Sequence, residues 1–570
     1  MSRLEAKKPP LCISEPLTRA SQSLSLLSRI LQSCYGPSGR LKHLHNGVGG
    51  YVCTTSQSSA ILSRLSVSHP VLRVLTASVL NHVARFSDCG LFTAILCCHL
   101  IENFKSLNVA TCMVIKISKH LLGLCMDYLK SEACGCRVSL DFSSVEALLC
   151  LVGSVLTSKP ACMLNRTEID HLTVLILKAF LLTVPCQVET NAVLGKCIIV
   201  PVKGRRVLES SVFPGLLIET PEIQLAKPFT VRRTCSNMIK TALFCVSMSG
   251  DCFSPEEGTL TVHHGISLEL SELNQLLNVG KQLVNDEVGL VVCQKVIHPS
   301  LKQYLKENHV MAVDRAGLSL MEPLSRMTGS KAIASIHLLS SSSYGTLKDV
   351  HVENVASKHF VQLVPNDTVV CSLVLCNRNE TAWDELKHAC EAAEHVLQLT
   401  VKEPFALLGG GCTETHLASY LRHKSCSLAT TSLEDLGCSR TQYQLVADGF
   451  CRSLESVACS LNHDDGELLT DMVYGHCWFV PSHFPSVSNW SDLVSKCGCG
   501  INGNTENLHW RLLQGQVGFP VLQGCPKEPS ANAADFLALD CFAAKCSGLQ
   551  VAVETASLVL DLSYVIEDQN

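Results

Sequence analysis

The change of hydrophobic period along this chain, from helix to strand and back to helix, is the feature that most limits its fold. Leu24, Leu27, Ile30 and Leu31 recur at helical spacing, and Val71, Leu72, Leu75, Val79 and Val83 mark a second helix. Phe92, Ile95, Leu96 and Leu100 mark a third, and further helices are expected over about Val145–Leu156 and Glu168–Thr183. From Gly195 the pattern turns to strands, at Cys197–Val200 and at Val212–Ile218. Residues 240–330 then alternate: strands at Ala242–Val246, Gly289–Cys293 and Val310–Val313, with helices through Leu273–Leu283, Ser300–Lys306 and Met321–Met327. That βαβα order argues for parallel strands in an α/β domain. Past Val370 the helices return, over Thr381–Leu399 and about Ala543–Leu562. A helical domain interrupted by an inserted α/β domain is the arrangement this order predicts.

The chain has 570 residues, of which 47% are hydrophobic and 17% charged, so it can bury several cores. A mean hydropathy of +0.24 is high for a soluble protein and points to surface covered by partners. The net charge of −5 leaves no footprint for nucleic acid or an anionic membrane. Met1 to Pro16 carries charges and prolines where a secretory signal has an apolar core. The run Leu172–Val184 is too short to span a bilayer and holds Lys178 at its centre. The 32 cysteines lie scattered in apolar runs such as Ile95-Leu96-Cys97-Cys98, so reduced, buried thiols in a cytosolic protein are expected rather than a disulfide scaffold. Two C-x-C pairs, Cys134/Cys136 and Cys497/Cys499, are narrower than usual zinc spacing, and no zinc is expected. His263-His264 reads as a solvated turn. About 472–535 the chain is rich in Gly, Ser, Pro and Asn and reads as an irregular insertion.

Three short segments carry possible phosphate chemistry: Tyr35-Gly36-Pro37-Ser38-Gly39-Arg40, Ser87-Asp88-Cys89-Gly90-Leu91-Phe92-Thr93, and Gly409-Gly410-Gly411. Glycines and helix N-termini expose the backbone N–H groups that hold anions. Each also has an ordinary reading: a helix-ending Gly-Pro turn, an Asp88 N-cap, and a flexible loop.

Together these segments resemble the ATP site of the group II chaperonins, the family of the archaeal thermosome and the eukaryotic cytosolic chaperonin CCT. Val291-Val292-Cys293-Gln294-Lys295-Val296-Ile297-His298, Met311-Ala312-Val313-Asp314-Arg315, Thr157-Ser158-Lys159 and Tyr564-Val565-Ile566-Glu567-Asp568 extend the resemblance over nearly the whole chain. It implies an α/β multidomain chaperonin fold. A helical equatorial domain (1–140 and 406–570) would flank an intermediate domain (141–210 and 366–405) and an inserted apical domain (211–365). It also implies ATP and magnesium held at Gly36, Pro37, Gly39, Asp88, Gly90, Gly409, Gly410 and Gly411, with Asp88 as magnesium ligand. Lys302, Gln303 and Lys306, on a helix about Pro299–Lys306, would face client protein; a solvated face is the alternative.

The departures from that family are specific. Its loop Gly-Asp-Gly-Thr-Thr is here Ser87-Asp88-Cys89-Gly90-Leu91, and its Asn-Asp-Gly-Ala-Thr is Ser56-Gln57-Ser58-Ser59-Ala60. The position of its water-positioning aspartate falls on Ala392, with Glu391 and Glu394 expected to turn roughly 100° and 200° away along the helix. The lid-forming protrusion falls on Glu256–Leu273, which is short and favours strand over helix at Thr259–Val262. These departures resemble the vertebrate chaperonin-like branch linked to Bardet–Biedl syndrome. That branch implies a non-enzymatic factor in the cytosol, centrosome and ciliary basal body. It would assemble the BBSome, a ciliary trafficking complex, with other chaperonin-like proteins and CCT subunits. An active ATP-hydrolysing ring subunit and a nucleotide-free scaffold are the alternatives.

Overall fold

A computed structural model describes residues 11–14, 16–46, 52–67, 69–185, 194–220, 231–249, 268–336, 339–355, 358–367, 369–463, 466–480, 494, 496–500, 508–513 and 537–567. Two compact units result, one from Met1–Thr173 with Glu380–Asn570, the other from Val174–Asn379. The second is therefore an insertion in the sequence of the first.

The first unit is built around the helix Gly90–Lys105, which is apolar around most of its circumference: Phe92, Ile95, Leu96, Cys97, Cys98, Leu100, Ile101 and Phe104 are all buried, and His99, Glu102 and Asn103 form a short polar stripe near its end. A helix with so broad an apolar face is enclosed by others. The helices Pro16–Gln32, Pro70–Phe86, Arg440–Cys459 and Phe542–Asp561 enclose it. Thr111–Lys130 and Arg440–Cys459 are long helices that the hydrophobic pattern alone had not singled out. A short antiparallel sheet places Phe405–Leu408 between Arg137–Ser139 and Leu539–Cys541, so the glycine triplet emerges from its central strand. Leu11–Ser14 pairs antiparallel with Tyr564–Glu567 near the C-terminus.

The stretch expected to be irregular is in part ordered. Its described segments Cys477–Val480, Lys496–Cys497 and Trp510–Leu512 join Glu467–Asp471 in a four-stranded antiparallel sheet. Turn-rich composition hid strands of only two to four residues. The remainder of that stretch lies outside the described residues.

In the second unit, Met311–Val313, Val288–Cys293 and Ile239–Phe244 are neighbouring parallel strands, as the alternation predicts. The helices Leu268–Asn285 and Pro299–Glu307 make the crossovers. Val288–Cys293 is buried at every position, which explains its unbroken apolar run. Leu290 and Val292 enter one core with Met321 and Leu324; Val291 and Cys293 enter the other with Leu276, Leu301 and Leu305. The expected single strand Val212–Ile218 is two strands. Gly215, at φ +82°, breaks it, because a Cβ there would lie 2.0 Å from the Leu363 carbonyl oxygen. Ser211–Pro214 then pairs with Val370–Asn377, and Leu216–Glu219 with Lys358–Val364.

Of the lid candidate, residues 268–273 are helical and 256–267, including Thr259–Val262 and His263-His264, lie outside the described residues. No described helix is long and apolar enough to cross a membrane. The described cysteines are free thiols, most of them buried.

Candidate functional site

The first unit contains a cavity of about 730 Å³, within the range of small-molecule pockets. Gly36, Pro37, Asp88, Gly90, Gly409 and Gly410 all line it, so the three segments separated in sequence share one space. Gly39 and Gly411 do not line it. Gly39 stands behind the turn, where a Cβ would lie 2.4 Å from the Cys34 carbonyl oxygen, and Gly411 (φ +85°) is the residue before the helix Cys412–Ser427.

The loop Ser87–Cys89 keeps a glycine-type backbone at two residues that are not glycine. Ser87 ends the helix Pro70–Phe86 and Cys89 precedes the helix Gly90–Lys105, both at φ 58°. Non-glycine residues pay about 1–2 kcal/mol each for that left-handed conformation. Ser87 is anchored by a 2.8 Å hydrogen bond between its Oγ and His395 Nδ1. His82 Nε2 donates to the Asp88 carbonyl at 3.2 Å, and burial lowers the His82 pKa, which suits this neutral role.

The N-cap position belongs to Cys89, and no side chain caps the helix. The N-cap reading of Asp88 is thereby corrected: its carboxylate points instead to Lys159, with Nζ 3.7 Å from Oδ1. First-turn residues Gly90, Leu91 and Phe92 line the cavity, and the N–H groups of a first turn have no partner within their own helix. The cavity wall thus offers a helix N-terminus, a lysine ammonium and a carboxylate within one loop cluster, a set suited to a polyphosphate with a hard cation.

Ala392 lies in the cavity wall, on the helix Glu380–Lys402. Glu391 lines the cavity too, which corrects the expectation that the helix turns it away; the cavity is wide enough to reach a second position on that helix. Glu394 does not line it. Glu391 is an exposed residue, 3.2 Å from His388 Nδ1 and 3.8 Å from Lys387 Nζ. The His388 hydrogen bond lowers the Glu391 pKa, and the same bond raises that of His388. Gln57 also lines the cavity, its Nε2 donating to the Glu385 carbonyl at 3.2 Å.

Asp540 and Lys545 complete the wall and were missed by sequence reasoning, since neither lies near a glycine signal. Lys545 is 4% exposed, with Nζ 2.8 Å from Asp540 Oδ2 and 2.5 Å from Glu414 Oε1, and 4.1 Å from the centre of the Phe92 ring. Burial alone would lower its pKa, but the two carboxylates outweigh it and hold the ammonium well above the usual lysine value. Thr413-Glu414-Thr415-His416 is the buried start of a helix.

In the other unit, Lys302, Gln303 and Lys306 share the helix Pro299–Glu307, but not one environment. Lys302 is half-buried and paired with Asp314 at 2.7 Å, which removes it from the outward set. Gln303 and Lys306 are exposed, and Gln303 donates to Glu307 at 2.8 Å.

Comparison with known proteins identifies the family. The chain is similar to Molecular chaperone MKKS of Homo sapiens, 58% identical over 572 residues and covering 100% of both chains. It is 56% identical to the Mus musculus protein of the same name, again over the full length of both. Thermosome subunit alpha of Sulfolobus acidocaldarius is 22% identical over 452 residues, covering 77% of each chain. The TCP-1/cpn60 chaperonin family matches residues 27–570. With that span embracing both units and every segment of the cavity, the chain belongs to the TCP-1/cpn60 chaperonin family.

Proposed function

We propose that this chain is a chaperonin-like assembly factor that binds nucleotide without efficient hydrolysis. The observation that carries the reading is Ala392 in the wall of an otherwise formed cavity. ATP with magnesium, when bound, supplies a polyphosphate and a hard cation. The N–H groups at Gly90–Phe92 and the Lys159 ammonium would hold the phosphates, and Asp88 would hold the cation. The backbone at Gly409 and Gly410 lets a ligand approach closely.

Efficient hydrolysis needs a residue that positions the attacking water, an aspartate in the group II chaperonin pattern. Ala392 has no carboxylate, and Glu391 is engaged by His388 and Lys387. Loss of a general base costs about 10²–10⁴-fold in rate. Asp88, Gly409 and Gly410 in the cavity wall, with the Glu391–His388 pair beside them, favour the second reading, an active ATPase.

The chaperone names of the relatives support clients that are partly folded or unassembled subunits. Resemblance to the chaperonin-like branch supports BBSome subunits as clients, other chaperonin-like proteins and CCT subunits as partners, and residence in the cytosol, centrosome and basal body. Gln303 and Lys306 would belong to the client-facing helix.

Two measurements test this. Equilibrium binding of ATP paired with a turnover assay should show binding with near-background hydrolysis; turnover at a rate typical of the family rejects the reading, and no binding favours the scaffold. Affinity purification with mass spectrometry, with and without ATP, should recover chaperonin or ciliary-complex subunits. Recovering neither rejects the assembly role.

A further inference from the structure

Behind the cavity wall, four metal-ligating side chains converge in a buried cluster that nucleotide binding does not use. They are Cys412, His476, Cys497 and Cys499, whose ligand atoms all lie within 4.8 Å of one another. None is more than 2% exposed. Cys412 Sγ lies 3.6 Å from Cys497 Sγ, and Cys497 Sγ 3.3 Å from Cys499 Sγ. His476 Nδ1 lies 3.7 Å from Cys497 Sγ and 3.9 Å from Cys499 Sγ. In a tetrahedral zinc centre, Zn–S bonds of about 2.3 Å and Zn–N bonds of about 2.0–2.1 Å place ligand atoms roughly 3.5–3.8 Å apart. Four of the six separations, at 3.3–3.9 Å, stand close to those that one such ion imposes, and the other two lie within 4.8 Å.

Each element is arranged to bring its ligand there. Cys412 opens the helix that follows the glycine triplet. His476 is aimed by a turn organised on Asp471, whose carboxylate accepts from the backbone N–H groups of Val473, Gly475 and His476 at 3.1, 3.2 and 2.9 Å and from Trp478 Nε1 at 3.0 Å. Cys497-Gly498-Cys499 forms a knuckle, tied by Gly498 N–H to the Cys477 carbonyl at 2.8 Å and by Gly500 N–H to the Cys497 carbonyl at 2.9 Å. Glycine is required between the two cysteines, since a Cβ on Gly498 would lie 2.0 Å from the Gly410 carbonyl oxygen. The His476 ring is buried with Nδ1 facing the Cys497 and Cys499 sulfurs, so a ring nitrogen able to bind metal is aimed into the thiol cluster.

We propose that Cys412, His476, Cys497 and Cys499 form a structural zinc site. Three thiolates and one neutral imidazole fill four positions and leave none for water, which is the composition of structural rather than catalytic centres. Binding displaces the three thiol protons to solvent and changes no oxidation state. The narrow C-x-C spacing that argued against zinc in the sequence is completed by Cys412 and His476. The ion joins the start of the helix Cys412–Ser427 to the four-stranded sheet. It thereby fixes Gly409, Gly410, Gly498 and Gly500, all of which line the cavity.

The test is the metal content of the full-length chain, purified without chelator or metal-affinity tag and measured by mass spectrometry in the absence of nucleotide. About one zinc per chain is expected. Cys412→Ser and Cys499→Ser should fall to background, while Cys134→Ser, at the other close cysteine pair, should keep the metal. Replacement of zinc by cobalt in the wild-type chain should give the visible bands of a tetrahedral thiolate site, a readout that stands if the variants do not fold. A folded wild-type chain that carries no zinc and yields no such cobalt spectrum overturns the proposal. So does full zinc retention in Cys412→Ser and Cys499→Ser, or iron in place of zinc.

Discussion

The hydroxyl of Ser58 occupies the space that a side chain on residue 90 would need. A Cβ on Gly90 would lie 2.2 Å from Ser58 Oγ and 2.4 Å from Val83 Cγ2. In the group II chaperonin pattern these two positions are glycine and threonine; here the bulk is exchanged. The loop before Gly90 thus meets a wall packed so that Ser58 fills the space left by the glycine.

That exchange predicts a coupled pair of mutations. Gly90→Ala should destabilise the chain by about 1–3 kcal/mol through overpacking, although alanine is the better helix former. Adding Ser58→Gly should restore part of the loss, the Val83 contact remaining. Denaturant midpoints for the two single variants and the double variant measure the coupling, and strictly additive effects would mean that the two sites do not share space.

If the proposed nucleotide reading holds, placing a carboxylate at residue 392 should raise turnover. Ala392→Asp is expected to raise ATP hydrolysis at least about tenfold over the wild-type chain, below a general base's usual contribution of about 10²–10⁴ because Cys89 and Leu91 differ from the group II pattern. Nucleotide affinity should change much less. An unchanged rate would place the defect in the loop Ser87–Leu91 rather than at residue 392.

Glu455 is a buried carboxylate held between two arginines. Arg422 bonds it through both guanidinium Nη atoms, one at 2.9 Å, and Arg511 Nη2 lies 2.6 Å from Oε1. With the carboxylate 2% exposed and the guanidiniums 14% and 10%, neutralising it takes a buried counter-charge from both arginines and leaves Arg422 only the more distant Asp448, at 3.9 Å. Glu455→Gln should cost about 3–5 kcal/mol by chemical denaturation. A loss below ~1 kcal/mol would show that solvent reaches the arginines.

Acid sensitivity should arise in part at His99. Burial holds its pKa at about 4, against about 6.5 in an unfolded chain. Between those values the unfolded chain takes up a proton that the folded chain refuses. Stability from this site is therefore complete above about pH 6.5 and declines toward pH 4, by up to about 1.4 kcal/mol per pH unit. His99→Gln can still meet Gln32, which lies 2.6 Å from His99 Nε2. Urea midpoints at several pH values should show a shallower decline for the variant; parallel slopes would exclude His99 as a source.

Local pattern by itself determined the helices Pro16–Gln32, Pro70–Phe86, Gly90–Lys105 and Phe542–Asp561, the parallel strands Ile239–Phe244, Val288–Cys293 and Met311–Val313, and the insertion of one unit in another. Those features repeat every few residues, so a short window contains their physical cause. The glycine signals likewise marked six residues that meet in one cavity. Tertiary structure decided what depends on distant partners. Gly215 splits a strand because the Leu363 carbonyl approaches it, Asp540 and Lys545 close a wall far from any motif, and Lys302 turns to Asp314. The four ligands of the proposed zinc site lie on a helix start, a turn and a knuckle. No spacing along the chain could reveal that they converge, because their geometry exists only after the sheet has packed beside the glycine triplet.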